Sequence, residues 1–506
     1  MPHARATGVS RQAARGPIRY SSLAGLLSFR PMKIRLPALA ISAAIGLGLS
    51  AQPATSQSQV DKVFARWHTT TTPGCAVGVG MKGRPVLERA YGMADLEHGV
   101  PNKPDTIFEA GSVSKQFTAA AILLLAKDGK LSLDDPARKY VPELPDYGTP
   151  LTIRHMLQHT SGLRDWGEIA SLAGWPRGAR VHTHAHVLDI VSRQRALNFA
   201  PGAQWSYSNT GYNLAAVIVS RVSGQSFADF SRDRIFTPLG MTRTSWRDDH
   251  TRVVKERAIA YTDRSGNFSI NMPFENVHGN GGLLTTVGDL LRWNENAIAP
   301  KIGDAALVRE QHEPGRLNDG KAHDYALGLT IGTYRGVNEV SHSGSTAGYR
   351  AHLLRYPDHH VSVAVLCNVS SGAATQYARA VADLHVTGLA AETAGRGGAP
   401  GGRGAGVPAG QGSPLPPNQL AAYAGSYSSD EAEVIYTIVV EGDRLALKRR
   451  PDSTFRLTPT GEDAFDAGFA RIRFIRNAGG QITELSARTG RVFDLRFRRM
   501  GSGSRP

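Results

Sequence analysis

Strand-like segments at both ends of a long region enclose a stretch with helical periodicity, and this order restricts the fold. Residues 75–91 alternate apolar and polar side chains around a turn at 82–84, which predicts a β-hairpin. Four more strand-like segments follow the helical stretch, at 326–333, 339–342, 350–356 and 361–366. We therefore expect an α/β domain, in which one antiparallel sheet is flanked by helices and a helical lobe is inserted between its strands.

The enclosed stretch is mainly helical by its apolar spacing. The predicted helices are 117–127, 153–158, 186–193 and 283–297, with a last helix at 376–389. Gly129 stops the first helix, and Thr183 is the candidate N-cap of the third.

The C-terminal part differs in composition from the rest of the chain. Residues 395–416 are rich in Gly and Pro and have almost no large apolar side chains, which predicts a linker. Beyond it, short alternating segments are broken by turns at 441–443, 477–480 and 489–490. We expect a main domain at 57–394 and a small antiparallel β-barrel at 417–500.

The N-terminal region has the layout of an export signal. Residues 32–35 are basic, 36–49 are apolar, and small residues follow, with a candidate cleavage site at 54–56 or at Ala51. We assign 1–56 to this signal region and expect Met32 to be the true start. The mature protein is then periplasmic or secreted, and we expect it to have no membrane span.

The net charge does not indicate a nucleic-acid partner. Without the seven basic residues of 1–56, a region with no acidic residue, the formal charge of +15 falls to +8. The remaining basic residues are scattered, except in the C-terminal strands. There, 471–476 alternates Arg with apolar residues, as the solvated face of a half-buried strand does.

Residues 111–117 contain the motif that indicates chemistry. Ser112 stands three residues before Lys115, at the start of the apolar run 119–126. Residues three apart share a helix face, so the amine can accept the serine proton and activate a weak nucleophile. An apolar surrounding lowers the pKa of a lysine towards the range of a useful base. Taken alone, the spacing fits a plain helix N-cap at Ser112 equally well.

Two later segments supply companions for this pair. Tyr207 and Asn209 form a Y-x-N motif in a polar loop before the apolar run 214–219. The tripeptide 342–344 forms an H-x-G motif at the end of a predicted strand, and Ser345 follows it. Each motif alone also fits a structural role, as loop residues that satisfy backbone groups or as a strand-end histidine.

In order and spacing, the three motifs resemble those of the serine β-lactamase and penicillin-binding-protein superfamily. The similarity is greatest to the branch that contains class C β-lactamases, D-alanyl-D-alanine carboxypeptidases, D-aminopeptidases and related esterases. Segments that read like this branch also occur at 73–79, 92–96, 131–135 and 159–163. The resemblance covers about residues 60–390 and implies a serine β-lactamase-like fold. The region after the linker resembles the lipocalin-like module appended to some members.

The resemblance also implies roles for the motif residues. Ser112 is the nucleophile that becomes acylated, and Lys115 and Tyr207 share the proton transfers. A phenol with its ordinary pKa near 10 needs nearby positive charge, or a relay to Lys115, to act as a base. Asn209 orients Lys115 and contacts the substrate amide. The backbone N–H groups of Ser112 and Ser345 form the oxyanion hole.

The substrate-binding strand implied by the resemblance contains His342, Ser343, Gly344 and Ser345. Many β-lactamases have lysine in place of His342, and that lysine stays charged at neutral pH, whereas an imidazole titrates near 6.5. The H-x-G version occurs among the carboxypeptidases, aminopeptidases and esterases of the branch. We therefore expect less efficient β-lactam hydrolysis. A charged His342 beside Tyr207 would also give the activity a pH limb that disappears in His342→Lys.

The two cysteines, Cys75 and Cys367, fall on the first and last core strands of the implied fold, which are antiparallel neighbours. Export permits a disulfide, but disulfide geometry is demanding, so we favour two buried, unpaired thiols. We expect neither a metal nor a cofactor, because the pair His155 and His159 has no evident partner ligand. The alternating histidines at 182–186 fit a helix boundary better than a zinc site.

Together these features predict a periplasmic or secreted serine hydrolase that forms an acyl-enzyme at Ser112 on amide, lactam or ester bonds. Its substrates are D-amino-acid peptides, β-lactams or small esters, and peptidoglycan is a further candidate partner. The alternative is a catalytically silent peptidoglycan or β-lactam sensor, or a scaffold, with the same fold. The intact set of Ser112, Lys115, Tyr207 and Asn209 favours the enzyme.

Overall fold

The first and last strands of the main domain lie side by side in one antiparallel sheet. The computed structural model describes residues 52–391 and 416–501. The strands that precede the C-terminal region are β1 (Cys75–Met81), β2 (Arg84–Tyr91), β3 (Met93–Asp95), β4 (Val100–Pro101), β5 (Phe108–Glu109), β6 (Ser245–Trp246), β7 (Tyr261–Arg264), β8 (Asn267–Ile270), β9 (Leu283–Thr285), β10 (Thr330–Tyr334), β11 (Val337–Thr346), β12 (Tyr349–Tyr356) and β13 (Val361–Cys367). Six of them form the main sheet in the order β10-β11-β12-β13-β1-β2. The expected α/β fold with one antiparallel sheet is confirmed.

Helices cover both faces of this sheet and build the lobe inserted between its strands. They are α1 (Gln52–Val63), α2 (Lys115–Lys127), α3 (Ile153–Leu157), α4 (Trp166–Leu172), α5 (His184–Ser192), α6 (Asn209–Ser223), α7 (Phe227–Ser231), α8 (Thr237–Leu239), α9 (Val287–Asn296), α10 (Ala305–Gln311) and α11 (Ala374–Asp383). A further short helix, α12 (Pro417–Leu420), precedes the C-terminal strands. Short 3₁₀ turns stand at Ala65–Trp67, Gly111–Ser114, Ala137–Lys139 and Pro357–His359, and a π-helical turn at Arg232–Phe236.

Alternate residues of the central strands supply two separate cores. Ala76, Ala364 and Leu366 pack in the larger core, which includes the buried side of α2 and α6. Val77 and Val363, one position away, face the second core with α1 and α11. Both faces of the central strands are therefore buried, which restrains the main sheet.

Two predicted elements differ from those in the structure. The segment predicted as a single helix at 283–297 is divided into β9 and α9, because Thr286 caps α9 by accepting from the N–H of Asp289. The residues before the cap pair with β5 and β6 instead. The strand predicted at 326–333 begins only at Thr330, after a turn in which Gly328 has φ 80°.

Cys75 and Cys367 form a disulfide, so the expectation of two unpaired thiols was wrong. The cysteines are directly opposite each other in the β1–β13 register, and their Cα atoms are 4.0 Å apart. The close approach follows from pairing the first strand of the sheet with the last. Strand pairing therefore supplies the proximity that sequence alone left open.

The C-terminal region is a closed eight-stranded antiparallel barrel, as expected. Its strands are β14 (Gly425–Ser429), β15 (Val434–Glu441), β16 (Arg444–Arg449), β17 (Ser453–Gly461), β18 (Ala464–Asp466), β19 (Arg471–Arg476), β20 (Ile482–Arg488) and β21 (Leu495–Arg499). Pairing of Tyr427 with Arg499 closes the barrel. Arg471 and Arg473 are exposed whereas Ile472 and Phe474 are buried, so 471–476 has the predicted alternation.

The barrel packs against the helical lobe. A buried ion pair joins Arg164 to Glu431 at 2.8 Å, and Asn198 accepts from the N–H of Phe493 at 2.9 Å. The signal region up to Ala51, the predicted start at Met32 and nearly all of the predicted linker lie outside the described residues. Within 52–391 and 416–501, no helix combines the length and apolar character that a bilayer crossing requires.

Candidate active site

Ser112 lies in the 3₁₀ turn that directly precedes α2. Gly111 begins this turn with φ 52°, a conformation that favours glycine. A Cβ atom on Gly111 would lie 2.6 Å from the backbone nitrogen of Ser345. Glycine therefore lets the serine turn approach the strand that carries the H-x-G motif.

Lys115 is the first residue of α2, and its side chain is fully buried beneath Ser112. Its Nζ lies 3.1 Å from Ser112 Oγ, 3.0 Å from Asn209 Oδ1 and 2.7 Å from the carbonyl oxygen of Asn280. The Asn209 and Asn280 oxygens are only acceptors. A neutral amine would satisfy both with its two N–H groups and direct its lone pair at the serine hydroxyl.

The surroundings of Lys115 favour this neutral amine. Burial is the largest cause that holds its pKa well below the usual value, followed by the positive charges of Arg491 and Arg177. Asp165 acts in the opposite direction, but more weakly. The arrangement can thus remove a proton from Ser112, which is what the S-x-x-K spacing predicts of a base.

Tyr207 lines the same cavity as the nucleophile, Ser112. Its ring centroid is 4.8 Å from Lys115 Nζ and 4.7 Å from the guanidinium carbon of Arg491. Burial raises the pKa of Tyr207 to about 12, against the lowering effects of Ser112 and Arg491. The phenol is therefore protonated at neutral pH.

Asn209 is fixed by a carboxylate that the sequence did not single out. Its backbone N–H and its side-chain amide both donate to Asp165 Oδ2, at 2.8 and 3.0 Å. The other oxygen of Asp165 accepts from the N–H groups of Gly167 and Glu168, and so caps α4. The cap thereby fixes the amide oxygen of Asn209 towards Lys115.

The H-x-G segment lies within β11 rather than at its end. Pairing with β10 stops at Ser341, whereas pairing with β12 continues to Thr346. One edge of β11 is therefore uncovered by β10 from His342 onward. A Cβ atom on Gly344 would lie 2.0 Å from the carbonyl oxygen of Ala110, so only glycine permits the close packing of this strand on the serine turn.

His342 does not supply positive charge. Its Nδ1 donates to the carbonyl oxygen of Ser343 at 2.6 Å, and its Nε2 accepts from the Tyr325 hydroxyl at 2.9 Å. Burial is the largest cause that lowers its pKa, to about 3. The imidazole is therefore neutral at physiological pH, and the expectation of a charged His342 beside Tyr207 finds no support in the structure.

These elements surround a cavity of about 420 Å³. Its lining includes all the predicted site residues except the buried Lys115, namely Ser112, Tyr207, Asn209, His342, Ser343, Gly344 and Ser345. Arg177 and Arg491 also line it, although the sequence analysis assigned neither to the site. Nor did it identify Asp165 or Asn280, because these residues carry no local motif and reach the site only through tertiary packing.

The other histidines singled out from the sequence have local roles. His155 and His186 each complete a capping box, with Thr152 at the start of α3 and Thr183 at the start of α5. His159 packs against Tyr207 with tilted rings, whose centroids are 4.2 Å apart. The N–H of His278 donates to Nε2 of His184, and Nε2 of His182 lies 3.2 Å from the carbonyl oxygen of Trp175.

Comparison with known proteins agrees with this geometry. A family model described as beta-lactamase matches residues 60–387. The chain belongs to the beta-lactamase family. Penicillin-binding protein 4* of Bacillus subtilis is 31% identical over 316 residues, which cover 59% of this chain and 68% of that protein. A D-aminopeptidase of Brucella anthropi is 30% identical over 305 residues, or 60% of this chain and 57% of that protein.

Two solved structures share the architecture. The octameric penicillin-binding protein homologue from Pyrococcus abyssi has a TM-score of 0.58 at 25% identity, over 88% of this chain and 99% of that chain. A D-stereospecific amidohydrolase from Streptomyces has a TM-score of 0.56 at 21% identity, over 66% of this chain and 99% of that chain. The predicted family is confirmed, and the chain is a serine hydrolase of the beta-lactamase fold.

Proposed function

We propose that this protein is an exported hydrolase that forms an acyl-enzyme at Ser112 and cleaves amide bonds in D-amino-acid peptides. Small esters and β-lactams are further acyl donors of the same chemistry. One observation carries the proposal: the buried amine of Lys115 lies 3.1 Å from Ser112 Oγ and is held by two oxygens that can only accept. This arrangement directs a lone pair at the serine.

Acylation begins when Ser112 Oγ attacks the substrate carbonyl carbon and its proton passes to Lys115 Nζ. The carbonyl oxygen becomes an oxyanion, for which the N–H groups of Ser112 and Ser345 are the candidate donors. Losing one such donor typically costs on the order of 100- to 1000-fold in rate. The serine turn and β11 are packed closely enough to place both donors together.

Tyr207 acts as the acid in the second half of the step. As the carbon–nitrogen bond breaks, the protonated phenol donates to the leaving amine and recovers a proton from Lys115. Opposite pKa shifts of neighbouring groups are what an acid and a base need at one pH. The pKa of Lys115 is lowered, and the pKa of Tyr207 is raised to about 12. Water then attacks the acyl group with the proton transfers reversed.

The substrate class is supported by relatives and by the neutral imidazole. The chain resembles a D-aminopeptidase at 30% identity and a penicillin-binding protein at 31%. His342 is uncharged in the place where many β-lactamases keep a lysine. Both points favour peptide amides over rapid β-lactam hydrolysis.

Export is supported by the disulfide between Cys75 and Cys367, since disulfides persist in oxidising compartments. The layout of residues 32–56 agrees with it. N-terminal sequencing of the mature protein from a periplasmic or culture-medium fraction tests this part. An intact N-terminus on a cytosolic protein would contradict it.

The acyl-enzyme is tested with purified protein and Ser112→Ala on a chromogenic cephalosporin, a nitrophenyl ester, a D-alanyl anilide and a D-Ala-D-Ala peptide. We expect turnover of at least one amide or ester, and a covalent adduct on Ser112 by mass spectrometry. A stable adduct without turnover would support the sensor instead. The absence of both adduct and turnover would reject the proposal.

A further inference from the structure

The connection between β20 and β21 reaches from the barrel into the active-site cavity. Arg491 stands on this connection, and its guanidinium lines the same cavity as Ser112 and Tyr207. The guanidinium carbon lies 4.7 Å from the ring centroid of Tyr207. A residue of the C-terminal barrel thus faces the nucleophile of the main domain.

We propose that Arg491 is a positioning residue that places a fixed positive charge beside Lys115 and Tyr207, so that the catalytic centre is complete only with the barrel docked. This inference rests on the proposed function and deepens it. Arginine suits the role because it is charged at every relevant pH. The barrel then acts as a part of the active site and not only as an appended module.

The helical lobe holds the Arg491 backbone in place. The N–H of Arg491 donates to Glu168 Oε2 at 2.8 Å, and Glu168 also binds the hydroxyl of Thr489. On the other side, the carbonyl oxygen of Arg491 accepts from the side-chain amide of Asn198 at 2.9 Å. The N–H of Asp165 also donates to this carbonyl oxygen, at 3.4 Å, so three hydrogen bonds from the lobe fix the backbone of one barrel residue.

The guanidinium is held less tightly than the backbone. Its Nη1 lies 3.7 Å from Asp165 Oδ2, the oxygen that orients Asn209, and the side chain is 24% exposed. Asp165 therefore links the charge of Arg491 to the group that holds Lys115. An arginine retained only to bind the lobe would not need to lie over the ring of Tyr207.

Arg491 and Arg177 are the two cations whose charge lowers the pKa of Lys115, and Arg491 contributes more. The titratable or charged groups that face Lys115 and Tyr207 from the surrounding elements are Asp165, His159, Tyr212, Tyr325, His342, Arg177 and Arg491. Burial raises the pKa of both tyrosines well above the usual value, so they stay neutral. The pKa values of both histidines are lowered by burial, so they stay neutral. Arg177 is paired with Glu275, with Nε and Oε2 2.9 Å apart.

A positive charge at this point favours the deprotonated form of both neighbours. Arg491 contributes to the lowered pKa of Lys115 and opposes the rise of the pKa of Tyr207. Removing the charge should therefore make Lys115 harder to deprotonate and reduce the fraction of enzyme with a free base at neutral pH. The same loss should follow when the barrel is undocked.

The first test compares Arg491→Gln with Arg491→Lys in the full chain, with Arg456→Gln as a control on an exposed barrel position. The pH dependence of kcat/KM is measured from pH 5 to 10 with the best substrate. We expect the acidic limb to move to higher pH in Arg491→Gln, with about 10- to 100-fold lower kcat/KM at pH 7. Arg491→Lys should recover most of the loss, and Arg456→Gln should match the wild type.

A second test does not depend on turnover. In a Ser112→Ala background, the Lys115 amine is titrated by NMR of ¹⁵Nζ-labelled lysine, with Lys115→Met for assignment. Adding Arg491→Gln should raise the pKa of Lys115, whereas Arg456→Gln should not. If the wild type forms no adduct at Ser112, the proposed function fails, but this titration still decides the role of Arg491.

Two results would overturn the role of Arg491. One is an unchanged Lys115 titration in Arg491→Gln, with the variant folded by circular dichroism. The other is a rise in KM alone with the acidic limb in place, which would make Arg491 a substrate contact.

Discussion

Asn209 gives both its backbone N–H and its side-chain N–H to a single oxygen of Asp165. With both donors turned to the carboxylate, the amide oxygen of Asn209 can only face Lys115, which it meets at 3.0 Å. Asp165, which is not among the residues that line the cavity, therefore sets the orientation of the Asn209 amide towards the lysine.

Replacing Asp165 by Asn should separate this orienting role from helix capping. The amide oxygen of the variant can still cap α4, but its NH₂ group cannot accept the two N–H groups of Asn209. We expect kcat to fall about 100-fold, as for a misplaced catalytic group. Asp165→Ala should additionally destabilise the protein by about 1 kcal/mol through loss of the cap. Steady-state kinetics and urea unfolding measure the two effects, and an equal kcat in wild type and Asp165→Asn would contradict the first.

His342 should leave no limb in the pH profile between pH 5 and 9. Its pKa of about 3 keeps it neutral over that whole range. In His342→Asn, whose amide can still donate to the Ser343 carbonyl oxygen, we expect an unchanged profile shape and about tenfold lower kcat/KM. The check is the pH dependence of kcat/KM for both proteins, measured in one buffer series of constant ionic strength. A limb near pH 6.5 that is present only in the wild type would show that His342 becomes charged in this range.

A second buried histidine should make the fold sensitive to acid. His352 on β12 is 2% exposed, and burial, with a smaller contribution from Arg379, lowers its pKa to about 3. In the unfolded chain the ordinary pKa is about 6.5, so between these values only the unfolded state takes up the proton. Stability is fully present above pH 6.5 and falls as the pH drops towards 3. We expect this residue to make the free energy of unfolding roughly 2 kcal/mol lower at pH 5 than at pH 7.

The measurement for His352 is the free energy of unfolding at pH 7 and pH 5, in wild type and His352→Gln. The variant should lose less stability on acidification. The exposed His68→Gln serves as a control and should behave as the wild type. Equal losses in all three proteins would show that His352 carries no part of the acid sensitivity.

Breaking the disulfide should lower stability without changing the chemistry. Cys75 and Cys367 join residues 292 positions apart, so the bond restricts a long loop of the unfolded chain. We expect Cys75→Ala with Cys367→Ala to lose about 2–5 kcal/mol of unfolding free energy. The kcat at 25 °C should stay near that of the wild type, because both residues lie outside the cavity lining. The check is denaturation of the wild-type protein with and without reductant. Equal stability under the two conditions would contradict the prediction.

The parts of the molecule that sequence predicted well are local. The Ser112–Lys115 contact spans three residues, and the cap at Thr183 lies next to the helix that it starts. The 283–297 segment was misread because its apolar spacing continues into β9, and pairing with β5 and β6 overrides it. Tertiary contacts of this kind are invisible in a window of neighbouring residues.

The remainder of the site depends on distant contacts. Asp165 reaches Asn209 across 44 positions, and Lys115 reaches the Asn280 carbonyl oxygen across 165. A backbone carbonyl has no sequence signature at all. His342 lines the cavity, but its charge state follows from burial and from the Tyr325 hydroxyl, which only the fold reveals.

The place of Arg491 in the chain sets the order in which the site is assembled. During synthesis, Ser112, Lys115 and Tyr207 emerge long before the β20–β21 connection that carries the guanidinium. On the proposed role of Arg491, a chain halted or clipped between 391 and 416 would hold a nucleophile whose neighbouring amine is harder to deprotonate. Full hydrolytic activity would then appear only after the ribosome has passed Arg491 and the barrel has closed, which restrains an unfinished chain from reacting.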